Sequence, residues 1–298
     1  MVRILNIDKP PGWTSFQVIR YLKRLLDEKK AGHLGTLDPL ASGVLPVFLG
    51  KATKLIPFFN EGHKIYRANI RLGIRTDTYD TEGEILEKKD CRHLKSSTIE
   101  AELSSFLGKQ NQKVPPFSAV KINGSRAYQL ARKGKVVPVP SREVEFQELR
   151  IEMLELPNLE IQVRCSKGTY IRSLAQDLGE ALKVGGCLSG LIRLECGPWF
   201  HLEQASSLES LANMDQENLP WVDPLVLLED WFTLMVNDIQ SLKVQQGQRI
   251  EVPPLSREKS LKSPMKTKTI DGQNNLVAVG MLIWDDIGCY FKPSRVLV

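Results

Sequence analysis

The chain reads as an α+β protein: a mixed, largely antiparallel sheet with flanking helices, followed by a small β-rich domain. Three observations predict it. Segments with an apolar residue at every second position, such as Leu159, Ile161, Val163 and Cys165 in LEIQVRC, lie among short amphipathic helices. The elements do not alternate strand with helix as a doubly wound sheet requires. Beyond about residue 220 the pattern turns to strands, at FTLMV, LVAVGMLIW and GCYFK, with no long helix. The expected domains are 1–228 and 229–298.

The elements follow in order. VRILNID is a strand broken by KPPG, and Ser15 is the expected cap of a helix over FQVIRYLKRLLDEKK, whose Val18, Tyr21, Leu22, Leu25 and Leu26 share a face. GVLPVFLG is a buried strand, ATKLIPFF a short helix, HKIYRANIRLG a strand and TDTYDTEG a loop. Ser97 to Glu100 form a capping box for a helix that ends at Gly108. VPPFSAVKI is extended, Asn123-Gly124 turns, and SRAYQLARKG is a short basic helix. LRIEM and LEIQVRC are strands, TYIRSLAQDLGEAL an amphipathic helix and CLSGLIRLECG a strand. The polar run VPPLSREKSLKSPMKTKTIDGQNN, residues 252–275, reads as a mobile loop within the C-terminal domain.

Composition narrows the function. Apolar residues make up 42% of the 298 and charged residues 25%, enough for a core without disulfide or metal staples. Five cysteines, widely spaced and odd in number, suggest neither a disulfide framework nor a zinc site. Four scattered histidines form no ligand motif, so no metal is expected. No GxGxxG or phosphate-loop pattern follows a strand, which leaves a nucleotide cofactor without support. A charge and a proline interrupt the N-terminal segment, and no run is long enough to span a bilayer, so a cytoplasmic protein is expected. The net charge is only +5, but residues 121–135 carry Lys121, Arg126, Arg132, Lys133 and Lys135 and no acid. Such a cluster is either a solvated face or a grip on phosphates.

One stretch stands apart. GHLGTLDPLASGVLP, residues 32–46, holds a lone carboxylate, Asp38, between glycines and prolines. Gly32 and Gly35 permit unusual backbone angles, and Pro39 pushes Asp38 toward an extended conformation. Thr36 and Ser42 can tie the loop to itself. The local chemistry fits an acid bonded to nearby amides as well as an acid held out for catalysis.

This stretch resembles the catalytic loop of the TruB family of tRNA pseudouridine-55 synthases, with Leu34 and Ser42 where that family usually has threonines. NIDKPPGWTSFQV, KIYRANIRLGIRTDTYDTEG, VPPFSAVKINGSRAYQLARKG, CSKGTYIRSLAQDLG and LIRL also resemble family motifs, in order. The resemblance implies an isomerase that needs no cofactor and converts a uridine of the tRNA T-arm to pseudouridine. It implies Asp38 as the essential acid, Arg172 as its partner and Tyr66 as the ring against the target base. Tyr170 and Leu191 match pocket residues, and His33 matches a residue that takes the place of the displaced nucleotide. Lys9 matches a motif lysine near the site. The basic stretch 121–142 matches a segment that closes on RNA, and the C-terminal domain falls where the family carries a PUA-type RNA-binding domain. The few residues before KPPG and that basic segment point to the stand-alone bacterial type: a monomer with no guide RNA, protein partner or membrane.

Overall fold

The computed structural model describes residues 2–59, 62–118, 120–122, 125–126, 140–253, 264–285 and 288–298. The side chains of residues 121–126 and everything in 123–124 and 127–139 lie outside that description; of the basic helix expected over SRAYQLARKG only Ser125 and Arg126 are described, and they form a short strand.

The principal strands of the large sheet are β1 (Arg3–Lys9), β2 (Ala41–Leu49), β3 (Lys64–Leu72), β4 (Gly108–Lys113), β5 (Ser141–Glu155), β6 (Asn158–Cys165) and β7 (Gly186–Cys196). They run in the order β1-β2-β7-β3-β6-β5-β4, and Ser206–Ser207, Ala31–His33 and Phe200–His201 add short strands to make ten. All seven β1 residues pair antiparallel with β2, from Arg3 opposite Leu49 to Lys9 opposite Gly43. The β2–β7 pairing is parallel and spans only Leu191 to Arg193 against Ala41 to Gly43. Gly43 has φ +95, and a Cβ there would lie 2.3 Å from the Arg193 carbonyl oxygen. Only glycine lets these strands meet beside the Asp38 loop.

Helices α1 (Ser15–Leu25), α2 (Ser96–Ser104) and α3 (Ile171–Ala181) flank the sheet. The face of α1 holding Val18 and Leu22 is buried as the spacing predicts, but Thr14, not Ser15, is its N-cap. The Thr14 hydroxyl accepts from the Gln17 amide at 3.1 Å, and Gln17 Oε1 accepts from the Thr14 amide at 2.7 Å. Ser15 is instead buried and bonds the Asp38 loop. The box expected at Ser97 does not form either, because α2 already begins at Ser96 and Lys95 gives it no side-chain cap. Helix α3 buries eight of its 11 residues. A Cβ on Gly179 would lie 2.0 Å from the Gly186 amide nitrogen, so this glycine allows α3 to pack directly on the start of β7.

A second, five-stranded sheet forms from β8 (Phe232–Met235), β9 (Ile250–Glu251), β10 (Met265–Ile270), β11 (Leu276–Asp285) and β12 (Gly288–Val296), with helix α4 (Asp238–Gln245) packed on it. Strand β10 corrects part of the loop expected over 252–275. MKTKTI has little apolar content, yet Thr267, Lys268 and Thr269 are all buried. Their polar atoms are satisfied: Thr269 Oγ1 donates to Ala278 O at 3.2 Å and Lys268 Nζ to Leu228 O at 2.7 Å. Ile4 and Phe48 of the first sheet, with Val2 and Leu55 beside it, share a core with Ile270 and Leu276 of the second sheet and Leu297 just after it. Among the described residues no helix is long and apolar enough to cross a membrane.

Candidate active site

The loop that carries Asp38 is fixed from below. His33 pairs with Val47 at its start, and the Leu34 amide donates to Pro46 O at 2.9 Å. The Ser15 hydroxyl donates to Leu37 O at 3.0 Å and accepts from Leu37 N at 2.8 Å. The Gly12 amide donates to Pro39 O at 2.8 Å. Lys9 is fully buried, and its ammonium reaches Trp13 O at 2.5 Å, Pro10 O at 2.9 Å and Pro39 O at 3.4 Å. Burial pulls its pKa down to about 8, against the charge of Asp38. Lys9 therefore lies beneath the loop and outside the cleft lining, where it joins the KPPG turn to the residue after Asp38.

Arg172, in the first turn of α3, fixes the carboxylate from the side. Its Nη2 donates to Asp38 Oδ1 at 3.2 Å, and its Nε lies 2.9 Å from Oδ2. The two contacts fix the plane of the carboxylate as well as its position. The other donors go to Thr78 O at 3.1 Å and Phe117 O at 3.0 Å, and Nη1 lies 3.4 Å from Asp80 Oδ2. Asp80 is itself held by the Thr78 hydroxyl at 2.6 Å and the Glu82 amide at 3.1 Å. The two acids differ in access: the Asp38 side chain is 37% exposed, that of Asp80 only 5%. The guanidinium is thus clamped between a buried carboxylate and one that opens to solvent.

That opening is a cleft of about 1500 Å³ whose lining includes His33, Asp38, Tyr66, Tyr170, Arg172 and Leu191. Six of the seven residues expected at the centre thus meet in one place. Tyr66 stands opposite Arg193 in the β3–β7 ladder, and Leu191 opposite Ala68. Burial pushes the Tyr66 phenol well above its ordinary value, against the nearby Arg193 charge. It stays protonated, suited to stacking and to donating a hydrogen bond. Burial and Arg193 both lower the His33 pKa, which favours a neutral ring. Gln112 clamps Tyr170, accepting from its amide at 2.8 Å and donating to its carbonyl at 2.9 Å, while the Arg142 guanidinium lies 5.4 Å from the ring centroid.

Sequence reasoning missed Asp80, Lys64 and Arg193. Arg193 is fully buried; its Nε donates to Val44 O at 2.6 Å and its Nη2 to Gly35 O at 3.1 Å, so it braces both ends of the Asp38 loop. One signal was available: Arg193 lies two residues after Leu191 on a strand, which places both on the same face. Of the five basic residues expected to grip RNA, Lys121 and Arg126 pair across a two-residue ladder. Their side chains, and Arg132, Lys133 and Lys135 altogether, fall outside the described residues.

The class that this fold defines is that of the pseudouridylate synthases. The model of the TruB family pseudouridylate synthase N-terminal domain matches residues 23–171, and the chain belongs to this family. Its relatives include "tRNA pseudouridine synthase B" of Gloeothece citriformis, 44% identical over 85% of this chain and 82% of that one. The protein of the same name from Synechocystis sp. is 41% identical over the full length of both. Among solved structures, an H/ACA RNP bound to a substrate RNA containing 2'-deoxyuridine superposes with a TM-score of 0.72 at 24% identity, covering 99% of this chain and 85% of the other. A Cbf5-Nop10-Gar1 complex superposes with a TM-score of 0.70 at 25% identity over 99% and 85%.

Proposed function

We propose that the protein is a stand-alone tRNA pseudouridine-55 synthase that isomerises the T-loop uridine with Asp38 as its catalytic acid. In the overall change the bond from C1′ of the ribose to N1 of uracil breaks and a bond from C1′ to C5 forms. C5 loses a proton and N1 gains one, so the reaction is redox-neutral. The observation that carries the reading is the two-point contact between Asp38 and Arg172 in the open cleft, with Tyr66 and Leu191 beside it. A carboxylate held this way can attack as a nucleophile, or take a proton, and then leave again. A protonated Tyr66 ring suits stacking on the uracil. Tyr170 and Leu191 shape its pocket, and His33 fills the space that the extruded nucleotide vacates. The basic segment 121–142 and the C-terminal sheet supply phosphate contacts, in the cytoplasm where the substrate is found.

The test is to incubate the protein with unmodified tRNA transcript, without guide RNA or other protein, and to map any pseudouridine formed. Modification confined to the T-loop is expected. A second reading, dependence on a guide RNA and partner proteins, is favoured by the fold likeness to complexes of that kind. It predicts no product until those components are added. A base-excising hydrolase would instead release free uracil.

A further inference from the structure

Phe16 is the most exposed large apolar side chain among the described residues, at 70%. It is no part of the buried stripe of α1, which is Val18, Ile19 and Leu22. Yet it lines the catalytic cleft together with Thr14, His33, Thr36 and Asp38. An aromatic ring left in water on the wall of the cleft that holds Asp38 offers a free face on which a flat ring can stack.

We propose that Phe16 is a stacking platform for a nucleobase flanking the target nucleotide, so that the cleft holds two bases in fixed relation. Three observations support it, and it rests on the RNA-modifying reading above. The cleft, at about 1500 Å³, exceeds the roughly 300–1,000 Å³ of a pocket for one small ligand, so a single extruded nucleotide does not fill it. The platform is rigid with respect to the chemistry. Its neighbour Ser15 exchanges two hydrogen bonds with Leu37, which directly precedes Asp38, and the Thr14–Gln17 capping box fixes the start of the helix. A ring held on a helix end and tied to the reacting carboxylate positions a base more sharply than one on a free loop. Finally, a phenyl ring carries no hydrogen-bonding group, so it accepts any base by its face and leaves sequence reading to others.

The test is equilibrium binding and single-turnover conversion of a T-arm stem-loop RNA. Wild type, Phe16→Ala and Phe16→Trp are each tried on the intact RNA and on two RNAs abasic at either flank of the target. Removing a stacked base–aromatic pair is expected to raise Kd about tenfold. Phe16→Ala should show this rise with an unchanged Tm, and Phe16→Trp should stay within about twofold of wild type. An abasic substitution at one flank should weaken wild type to the same extent and add nothing in Phe16→Ala. A Phe16→Ala variant that binds and converts intact RNA like wild type overturns the platform alone. So do abasic and Phe16→Ala effects that multiply at both flanks. A wild-type protein that neither binds nor converts the stem-loop overturns the RNA-modifying reading, and the platform with it.

Discussion

Two buried arginines frame the Asp38 loop, and they are used differently. Arg172 is held by two carbonyls and two carboxylates, one of which, Asp38, remains open to the cleft. Arg193 is hydrogen-bonded to carbonyls of the loop itself, at Gly35 and Val44. A cation paired with an accessible acid positions a reactive group. A cation bonded to backbone carbonyls shapes the loop that presents it. The same type of side chain thus pairs with a solvent-open acid at the head of α3 and braces a loop from within β7.

The largest expected effect tests the open end of the first arrangement. Asp38→Asn keeps the shape of the side chain but removes its charge and nucleophilicity, so conversion should fall by at least about 10³-fold with RNA binding nearly intact. A single-turnover rate near wild type would remove Asp38 from the reaction. Next comes Arg172→Met. It strands Asp80, which is only 5% exposed, and loss of one partner of a buried pair costs about 3–5 kcal/mol. The double variant with Asp80→Asn should recover much of that stability in denaturant unfolding and stay inactive, since Asp38 remains unpaired. Recovery of activity together with stability would show that Arg172 serves the fold alone.

Arg193→Met should behave in the opposite sense. It leaves the Gly35 and Val44 carbonyls without their donor, at about 1–3 kcal/mol for each buried group, while the Asp38–Arg172 pair survives. Its main effect is expected on the unfolding midpoint, with a smaller loss of rate. If rate fell as far as in Asp38→Asn while stability held, the contrast between brace and partner would fail. Ser15→Ala probes the same bracing more gently: two bonds to Leu37 are lost, and a destabilisation of about 1–2 kcal/mol is expected.

The difference between the arginines also explains what the sequence disclosed. Asp38 and Arg172 lie 134 residues apart, and neither periodicity nor spacing joins them. The resemblance to family motifs did, since it implies Arg172 as the partner of Asp38. Arg193 sits in LIRL, one of those motifs, yet on its strand it resembles any charged residue between leucines. Its burial becomes visible only once β2, β3 and β7 are assembled around it. Strand β6 of the large sheet was legible from alternation, since one face is apolar, whereas the polar β4, GKQNQK, was not read as a strand at all. Strand β10 was not legible either, because Thr267, Lys268 and Thr269 satisfy their polar groups inside the fold and leave no hydrophobic signal. Nor did local rules choose between Thr14 and Ser15 as the cap. That choice depends on Leu37, which needs the Ser15 hydroxyl from 22 residues away.

The smallest effect concerns the helix that holds Arg172. Asp177 lies five residues further along α3, and burial, reinforced by Glu180, raises its pKa from 3.8 to about 6. A folded-state value above the unfolded one means that the native protein binds the extra proton between those limits, so this group's contribution to stability is lost as pH rises from about 4 to about 6. Asp177→Asn removes the charge at every pH. The variant should match wild type near pH 4 and gain on it up to pH 6, then hold a constant advantage. Partial exposure of the group limits that advantage to about 1 kcal/mol. Denaturant midpoints at pH 4, 5, 6 and 7 would reveal the divergence. Parallel curves over that range would mean that Asp177 titrates as it does in water.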